Sequence, residues 1–575
     1  MASELPETFV DVVKRQAHEK PDHAAFAFLG DISGNDIDMT VTFGDLHDEA
    51  VSIATWLGSH ISPGDRVLLL FPSGLDFIKA FIGCLYAGAI AVPAPLPDGF
   101  RNQDERLSGI LNDAAASVVL TDQKHLDTVE GALVETDGAF ICAAISDVPT
   151  AAIRELNLPD IHPDTIAFLQ YTSGSTGDPK GVMITHRNLM DNFRRIHQYV
   201  GGGPGMRVCG WLPVIHDMGL VGQVLFMIYL GGWCLLMPPT EFLRRPHRWL
   251  EIIDQFDIEA TVAPNFAYEL CVRVISEEKL RNLDLSRLRV AMNGAEPIHA
   301  ETLEKFTARF AAAGFRREVF LPCYGMAEAT LLVTGTPADA VPASVTVDPS
   351  ALAAGELIPA EPTVVGRVLV SSGLADATRV KIVDPVTSHP LSDGRVGEVW
   401  VRGESVSQGY WRRDQLNKEA FGLRVAAEEG YHRTGDLGAV HHGQLYVTGR
   451  SKEVIIIRGR NLYPHDLERA ISGLHPKLAT GAVFSLPDHA DHVVVVQEIR
   501  PHSLGEQDFR ELTHSIKQTL VSRFGIPEPS VVLVRPGAVR KTTSGKIRRS
   551  LMRQLFLESS LTLVFEAYGR GFQAS

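Results

Sequence analysis

Residues Tyr171 to Asn188 read YTSGSTGDPKGVMITHRN, and the first eleven of them hold three Gly, four Ser/Thr hydroxyls and one Lys. Small residues let backbone N–H groups approach oxyanions, hydroxyls donate to them directly, and Lys180 adds a point charge. Such a run is equipped to hold the β- and γ-phosphates of a nucleotide, through Thr172, Ser173, Gly174, Ser175, Thr176, Gly177 and Lys180. It is not the ordinary P-loop, which needs Gly directly before the Lys, where Pro179 stands here. The bland alternative is a Ser/Gly-rich turn between two strands, but the order of residue types is too varied for low complexity.

Two strands must present this loop: Ile166 to Gln170 (IAFLQ) feeds it and Val182 to Thr185 leaves it. Thr185 is a suitable N-cap for a helix beginning near His186. Upstream, Arg66 to Phe71 (RVLLLF) is a continuous apolar run of the kind buried parallel strands show. Leu75 to Ala87 follows with helical spacing, Gly88 is placed to cap it, and Ile90 to Val92 begins the next strand. Strands alternating with helices predict an α/β body. From Val380 to Arg402 short strands dominate, predicting a small β-rich subdomain. Beyond Gly449 to Gly459, strands at 453–457, 482–486 and 493–499 with helices near 464–474 and 507–524 predict a compact α+β lobe. Residues 336–365 contain no Lys or Arg and read as an insertion packed on the surface or, in the bland version, a long variable loop.

At 575 residues the chain is too long for one compact core. The apolar fraction of 45% and charged fraction of 21% are those of a soluble globular protein. A formal net charge of −15 argues against nucleic acid as a partner. From Lys452 onward, 17 Lys+Arg against 12 Asp+Glu give a net of +5, leaving −20 on the preceding part. A positive lid on an acidic body suits a polyanionic nucleotide. Six scattered Cys without a C-x-x-C pair fit a reducing cytoplasm, with neither a disulfide frame nor a zinc site. The N-terminal residues lack the pattern of a secretory signal. Met218 to Met237 is long and apolar enough to suggest a membrane span, yet Gly231-Gly232 interrupts it. It is read as a buried helix, a turn and a buried strand, with no membrane span.

The order Thr-Ser-Gly-Ser-Thr-Gly-x-Pro-Lys-Gly resembles the phosphate loop of the adenylate-forming superfamily, which includes acyl-CoA synthetases, luciferases and peptide-synthetase adenylation domains. The resemblance continues through HDMG at His216 to Gly219, YGMAE at Tyr324 to Glu328 and YHRTGD at Tyr431 to Asp436. It closes on GRSKEVIIIRGRNLYP at Gly449 to Pro464 and KTTSGK at Lys541 to Lys546. The details are most similar to fatty acyl-AMP ligases. The architecture this implies is a large N-terminal body of several subdomains, residues 1–451, carrying ATP and the acyl substrate. A small mobile lid, residues 452–575, follows it.

Such enzymes join a carboxylate to AMP: its oxygen attacks the α-phosphorus of ATP and expels pyrophosphate, a matter mainly of positioning and charge neutralisation. The resemblance implies that Glu328 binds Mg2+, which prefers few carboxylates plus phosphate oxygens and waters. It puts Tyr324, with Gly325 and Met326, on adenine, and Asn293, Gly294 and Ala295 along the other face of the base. Asp436 is the implied ribose carboxylate, assisted by Arg450. Lys546 is the implied catalytic cation, and His216 of HDMG joins it and Glu328 among the catalytic residues. Lys452 occupies the pivot about which the lobe swings between half-reactions. The second pose would present Arg458-Gly459-Arg460 to the incoming thiol.

The region around Leu212 to Gly222 lacks the free acidic residue with which peptide synthetases anchor an amine, since Asp217 sits beside His216. Gly219 and Gly222 on one helical turn leave room for an alkyl chain. With Met218, Phe226, Asn265, Phe266 and Tyr268 they outline an apolar tunnel for a fatty acid. HDMG, GRNLYP and the segment before Gly373 favour a fatty acyl-AMP ligase, in which the insertion disfavours CoA. The acyl group then goes to the phosphopantetheine of a holo acyl carrier protein. Leu462, where such ligases often carry His, departs from the pattern. The alternatives are a medium- or long-chain acyl-CoA synthetase and an inactive nucleotide-binding regulator.

Overall fold

A computed structural model describes residues 7–29, 37, 39–97, 101–134, 140–150, 158–173, 179–363, 366–487, 489–542 and 545–569. Two large sheets carry the body. The first has six strands in the order Ile141–Ala144, Val118–Thr121, Arg66–Leu70, Ile90–Ala94, Ile166–Ser173 and Pro179–Thr185. Five of them run parallel, and the last folds back as an antiparallel edge. The apolar run RVLLLF explains the buried centre: Val67 and Leu69 face one core while Leu68 and Leu70 face another. This two-residue alternation lets one strand feed two packing layers. Helix Leu75–Tyr86 is buried on nearly every side, and the chain leaves it through Gly88 at φ +66°.

The second sheet has eight strands, ordered Leu332–Gly335, Phe320–Gly325, Val290–Asn293, Ala260–Ala263, Arg207–Gly210, Trp233–Leu236, Ala24–Phe28 and Met39–Thr42. One continuous core joins it to the inner face of the first sheet. Helix His186–Val200 lies in that core, and its N-cap is Thr185 as expected, in a capping box with Asn188. The apolar stretch after His216 folds as Asp217–Gly219, a π-helical turn Leu220–Leu225 and Phe226–Leu230. Gly231 then turns left-handed at φ +66° before strand Trp233–Leu236. Among the described residues no helix is long and apolar enough to cross a membrane.

A five-stranded antiparallel sheet from Val380–Val383 to Gln444–Arg450 forms the β-rich subdomain. The small lobe has a four-stranded sheet, Leu478–Leu486, His489–Ile499, Ser530–Val534 and Leu563–Ala567, with its own cores on both faces. Its first strand begins at Ile455, because Ser451–Glu453 form a single 3₁₀ turn.

The segment 336–365 is more than a surface loop. Strand Ser344–Val347 pairs antiparallel with Arg367–Val370, and helix Pro349–Ala353 is capped by Asp348. Val347, Leu352 and Leu357 are buried in one cluster with Tyr446 of the β-rich sheet and Tyr463 of the lobe. The segment without Lys or Arg thus packs an apolar face against the body and the lobe. Val364 and Val365 lie outside the described residues.

Candidate active site

The Ser/Gly run closes a hairpin. Strands Ile166–Ser173 and Pro179–Thr185 pair with Thr172 opposite Lys180, and Gly174, Ser175, Thr176 and Gly177 lie outside the described residues. Its outer edge is covered from the β-rich subdomain: Met183 N–H donates to Gly409 O (3.0 Å) and Trp411 N–H to Gly181 O (2.7 Å). Gly181 is required here, since a Cβ would come within 2.9 Å of the Tyr171 ring. Tyr171 OH in turn donates to Asp113 at 2.7 Å.

From this hairpin a chain of contacts leads to Glu328. The Lys180 ammonium lies 5.5 Å from the centroid of the Tyr410 ring, a cation–π contact. Tyr410 OH donates to Glu328 Oε1 at 2.8 Å. Glu328 follows strand Phe320–Gly325, where a Cβ on Gly325 would fall 1.8 Å from Leu331 O. The YGMAE turn therefore depends on that glycine. Among the described residues no three His, Cys, Asp or Glu side chains form a metal cluster. A single carboxylate linked through Tyr410 to the Lys180 hairpin is a donor set that would fit Mg2+, which takes few carboxylates and completes its shell with phosphate oxygens and waters.

Tyr324 and Asp436, 112 residues apart, meet: Tyr324 OH donates to Asp436 Oδ2 at 2.8 Å. Burial and the Asp436 charge both push the Tyr324 hydroxyl pKa upward, so it stays protonated and donating. Asp436 and Arg450 are register partners on adjacent strands, and Arg450 Nε lies 3.0 Å from Asp436 Oδ1. Asp436 is the main reason that Arg450 holds its proton more firmly than usual. The turn before Asp436 is shaped by Glu398, which is 1% exposed. Glu398 accepts from Gly435 N–H (3.0 Å), Arg433 Nε (2.7 Å) and Trp400 Nε1 (3.2 Å). Sequence reasoning missed both Glu398 and Tyr410. The only signal was a charge inside the apolar run GEVWV and an aromatic pair, Tyr410-Trp411, after Gly409.

Asn293 is fully buried, and a Cβ on Gly294 would meet Cys323 Sγ at 2.8 Å. Ala295 adopts φ +66°, unusual for a residue with a side chain, and turns Glu296 toward Phe266. Phe266 N–H donates to Glu296 at 2.5 Å. Burial raises the Glu296 pKa to about 7, against the pull of that N–H, Lys546 and Lys541.

The Lys546 turn closes on itself: Thr542 N–H donates to Lys546 O (2.7 Å) and Gly545 N–H to Thr542 O (2.9 Å). Thr543 and Ser544 lie outside the described residues. Gly545, at φ +85°, sits where a Cβ would be 3.7 Å from the Phe266 ring, so the lobe delivers Lys546 into the cleft of the body. Enclosure by protein, then Arg450, lowers the Lys546 pKa, while Asp217, Asp436 and Glu296 act the other way. Lys546 nevertheless keeps contact with solvent. Asp217 is held ionised: burial works against this, but His216, 3.5 Å away, Lys546 and the Met218 N–H outweigh it.

The residues expected around the acyl chain divide. Phe266 meets the Lys546 turn, Met218 is buried in the main core, and Gly222 lies against Leu331, with a Cβ there 2.9 Å from the Leu331 methyl. Gly219 serves a backbone crossing, because a Cβ would stand 2.2 Å from Pro213 O. Phe226 packs on Phe193 and Tyr229, and Tyr268 on Trp249, Phe306 and Phe320, within the core. Asn265 is a buried node whose amide bonds Thr302, Asn293 and the His299 N–H. Lys452 lies in the 3₁₀ turn between body and lobe.

A cleft that pairs a phosphate-type hairpin with a Tyr–Asp–Arg group, closed by a small lobe, defines an adenylate-forming fold. The family model described as "AMP-binding enzyme" matches residues 13–411, and the chain belongs to that family. It is 39% identical over 568 residues to a medium-chain-fatty-acid–[acyl-carrier-protein] ligase of Moorena producens, covering 96% of both chains. A solved structure from work on fatty acyl-adenylate ligases from E. coli and L. pneumophila superposes with a TM-score of 0.88 at 31% identity, covering 97% of this chain and 99% of that one. The L. pneumophila fatty acyl-adenylate ligase in complex with acyl adenylate and pyrophosphate gives 0.75 at 35% identity over 98% of both. Within its family the chain is most like the fatty acyl-AMP ligases.

Proposed function

We infer that this enzyme activates a fatty acid as its acyl-adenylate and passes the acyl group to the phosphopantetheine thiol of an acyl carrier protein. The observation that carries the reading is the seating of the Lys546 turn against Phe266, in the cleft where Tyr324, Asp436 and Arg450 meet. In the first half-reaction a carboxylate oxygen bonds to the α-phosphorus of ATP while the bond to pyrophosphate breaks. Lys546 offsets the charge shared between the carboxylate and the α-phosphate, the kind of preorganised stabilisation that contributes most to such rates. Thr172, Ser173 and Lys180, with the glycines between, hold the leaving pyrophosphate. Asp436 accepts from the ribose hydroxyls with Arg450 fixing its orientation, and Tyr324 packs on adenine opposite Asn293 to Ala295. Mg2+, when bound through Glu328, supplies charge neutralisation at the phosphates. His216 keeps Asp217 ionised at the edge of the acyl channel.

In the second half-reaction the thiol sulfur bonds to the acyl carbon, its proton is released and AMP leaves. We assign residues 1–451 to the body and 452–575 to a lobe that turns about Lys452 between the two steps. The carrier-protein acceptor is supported by the name of the Moorena relative and by the insertion that ties Tyr463 of the lobe to the body. We place the reaction in the cytoplasm, where six unpaired thiols stay reduced. The test is ATP–pyrophosphate exchange across a fatty-acid series, followed by product mass spectrometry with CoA or a holo carrier protein as acceptor. Exchange with fatty acids and acylated carrier protein are expected. Abundant acyl-CoA would make the enzyme an acyl-CoA synthetase, and no exchange with any acid would end the reading.

A further inference from the structure

Arg367 stands at the start of strand Arg367–Val370, directly after the insertion, and its guanidinium reaches across to the lobe. Arg367 Nη2 donates to His465 Nε2 at 2.8 Å and, more loosely, to Thr448 O at 3.4 Å. Arg367 Nη1 lies 3.0 Å from Asp466 Oδ2, a charge contact off the hydrogen-bond direction. The same guanidinium covers the Tyr463 ring at 4.9 Å from its centroid. Thr448 precedes Lys452, whereas Tyr463, His465 and Asp466 follow it. One body side chain therefore grips both flanks of the 3₁₀ turn at Lys452. A second contact runs in parallel, from Arg469 of the lobe to Glu301 of the body.

The geometry has a chemical requirement. An Arg has no acceptor, so His465 Nε2 must present its lone pair, with the imidazole neutral and its proton on Nδ1. Burial and then Arg367 lower the His465 pKa well below the usual value, with Arg549, His299 and Arg469 adding to the effect. A planar fork that donates to a ring nitrogen while facing a carboxylate is something Lys cannot reproduce.

We propose that Arg367 is a positioning residue that holds the lobe in the pose in which Lys546 enters the cleft, and so sets the balance between the two half-reactions. It touches no reacting atom; it selects the arrangement that adenylates. The proposal rests on the two-step reading above. Swinging the lobe breaks the Arg367 contacts to Tyr463, His465 and Asp466 together, so their loss shifts the population away from the adenylating pose without altering the nucleotide grip.

The experiment measures each half-reaction alone in Arg367→Met, which keeps bulk and removes the charge. Acyl-AMP formation is followed by rapid quench at saturating ATP and fatty acid. Acyl transfer is followed from supplied acyl-AMP to a holo carrier protein. The expected result is a loss of about tenfold or more in acyl-AMP formation, with KM for ATP within about threefold. Transfer should be unchanged or faster, and Arg367→Lys should recover only part of the loss. Equal losses in both half-reactions, or no loss in either, would overturn the proposal. A wild-type enzyme that forms no acyl-AMP would instead overturn the functional reading. If Arg367→Met does not fold, the isosteric Asp466→Asn on the lobe side is read in the same two assays, with the same pair of outcomes.

Discussion

The two sides of the cleft are built by opposite means. On the body side each polar group is tied to a distant element: Tyr324 to Asp436, Asp436 to Arg450, Glu328 to Tyr410 and Gly435 to Glu398. On the lobe side the Lys546 turn is closed by bonds within itself and meets the body at Phe266. In the proposed mechanism the first arrangement fixes positions to suit a bound nucleotide. The second, in the same mechanism, brings one cation in and withdraws it without disturbing that grip. Holding and delivering are separate tasks, carried by parts that fold around separate cores.

The sharpest way to break this contrast is Lys546→Ala. Removing one preorganised cation should slow acyl-AMP formation by about 10²–10³, roughly 3–4 kcal/mol, while ATP binding by calorimetry stays close to wild type. Because the Lys546 pKa is lowered, adenylation should also fall at high pH before an ordinary Lys, near 10.4, would lose its charge. A mutant that loses ATP binding in parallel would place Lys546 with the fixed groups.

Next in size is Lys452→Pro, which fixes φ in the turn between the two parts. Acyl transfer to the carrier protein should drop by about tenfold or more while adenylation persists, since only the swing is impeded. Equal loss in both assays would remove the pivot from this position.

Glu328→Gln sharpens the contrast from the body side. The amide cannot give the same charge to Mg2+, so the metal concentration for half-maximal pyrophosphate exchange should rise by about tenfold. An unshifted Mg2+ titration would take Glu328 out of the metal shell. Tyr410→Phe should have the smallest effect. It removes one hydrogen bond to Glu328 but leaves the carboxylate and its charge in place, and a severalfold rise in the Mg2+ requirement is expected. A change as large as that of Glu328→Gln would mean that Tyr410 contacts the ligand itself.

Where the blocks singled out in the sequence fall among the described residues, the structure brings several of them together, Tyr324 of YGMAE on Asp436 of RTGD and Asp436 on Arg450 of GRSK. The parts that were not legible come from pairings across long separations. Tyr410 is 82 residues from Glu328, and nothing in its neighbourhood marks it as a partner. Glu398 reads as a solvent charge in a strand until Arg433 and Gly435 close over it. Apolar residues were the least informative, because Phe226 and Tyr268 have the same composition signal in a core as in a channel. Gly219 looked like space for a chain but is space for Pro213 O. The insertion showed its lack of Lys and Arg, not the strand pairing with Arg367–Val370 that gives it form.

The strip at Gly409 to Trp411 that covers the outer edge of the phosphate hairpin has a consequence for how the molecule is made. Its partners, Gly181 and Met183, emerge from the ribosome more than two hundred residues earlier. At about 5–20 residues per second, the edge waits roughly 10–45 s for its neighbour. An unpaired strand edge invites foreign strands during that interval. The nascent chain is therefore most vulnerable at the hairpin that carries Lys180, and slow translation between these segments should lower the yield of active enzyme more than slow translation after Arg413.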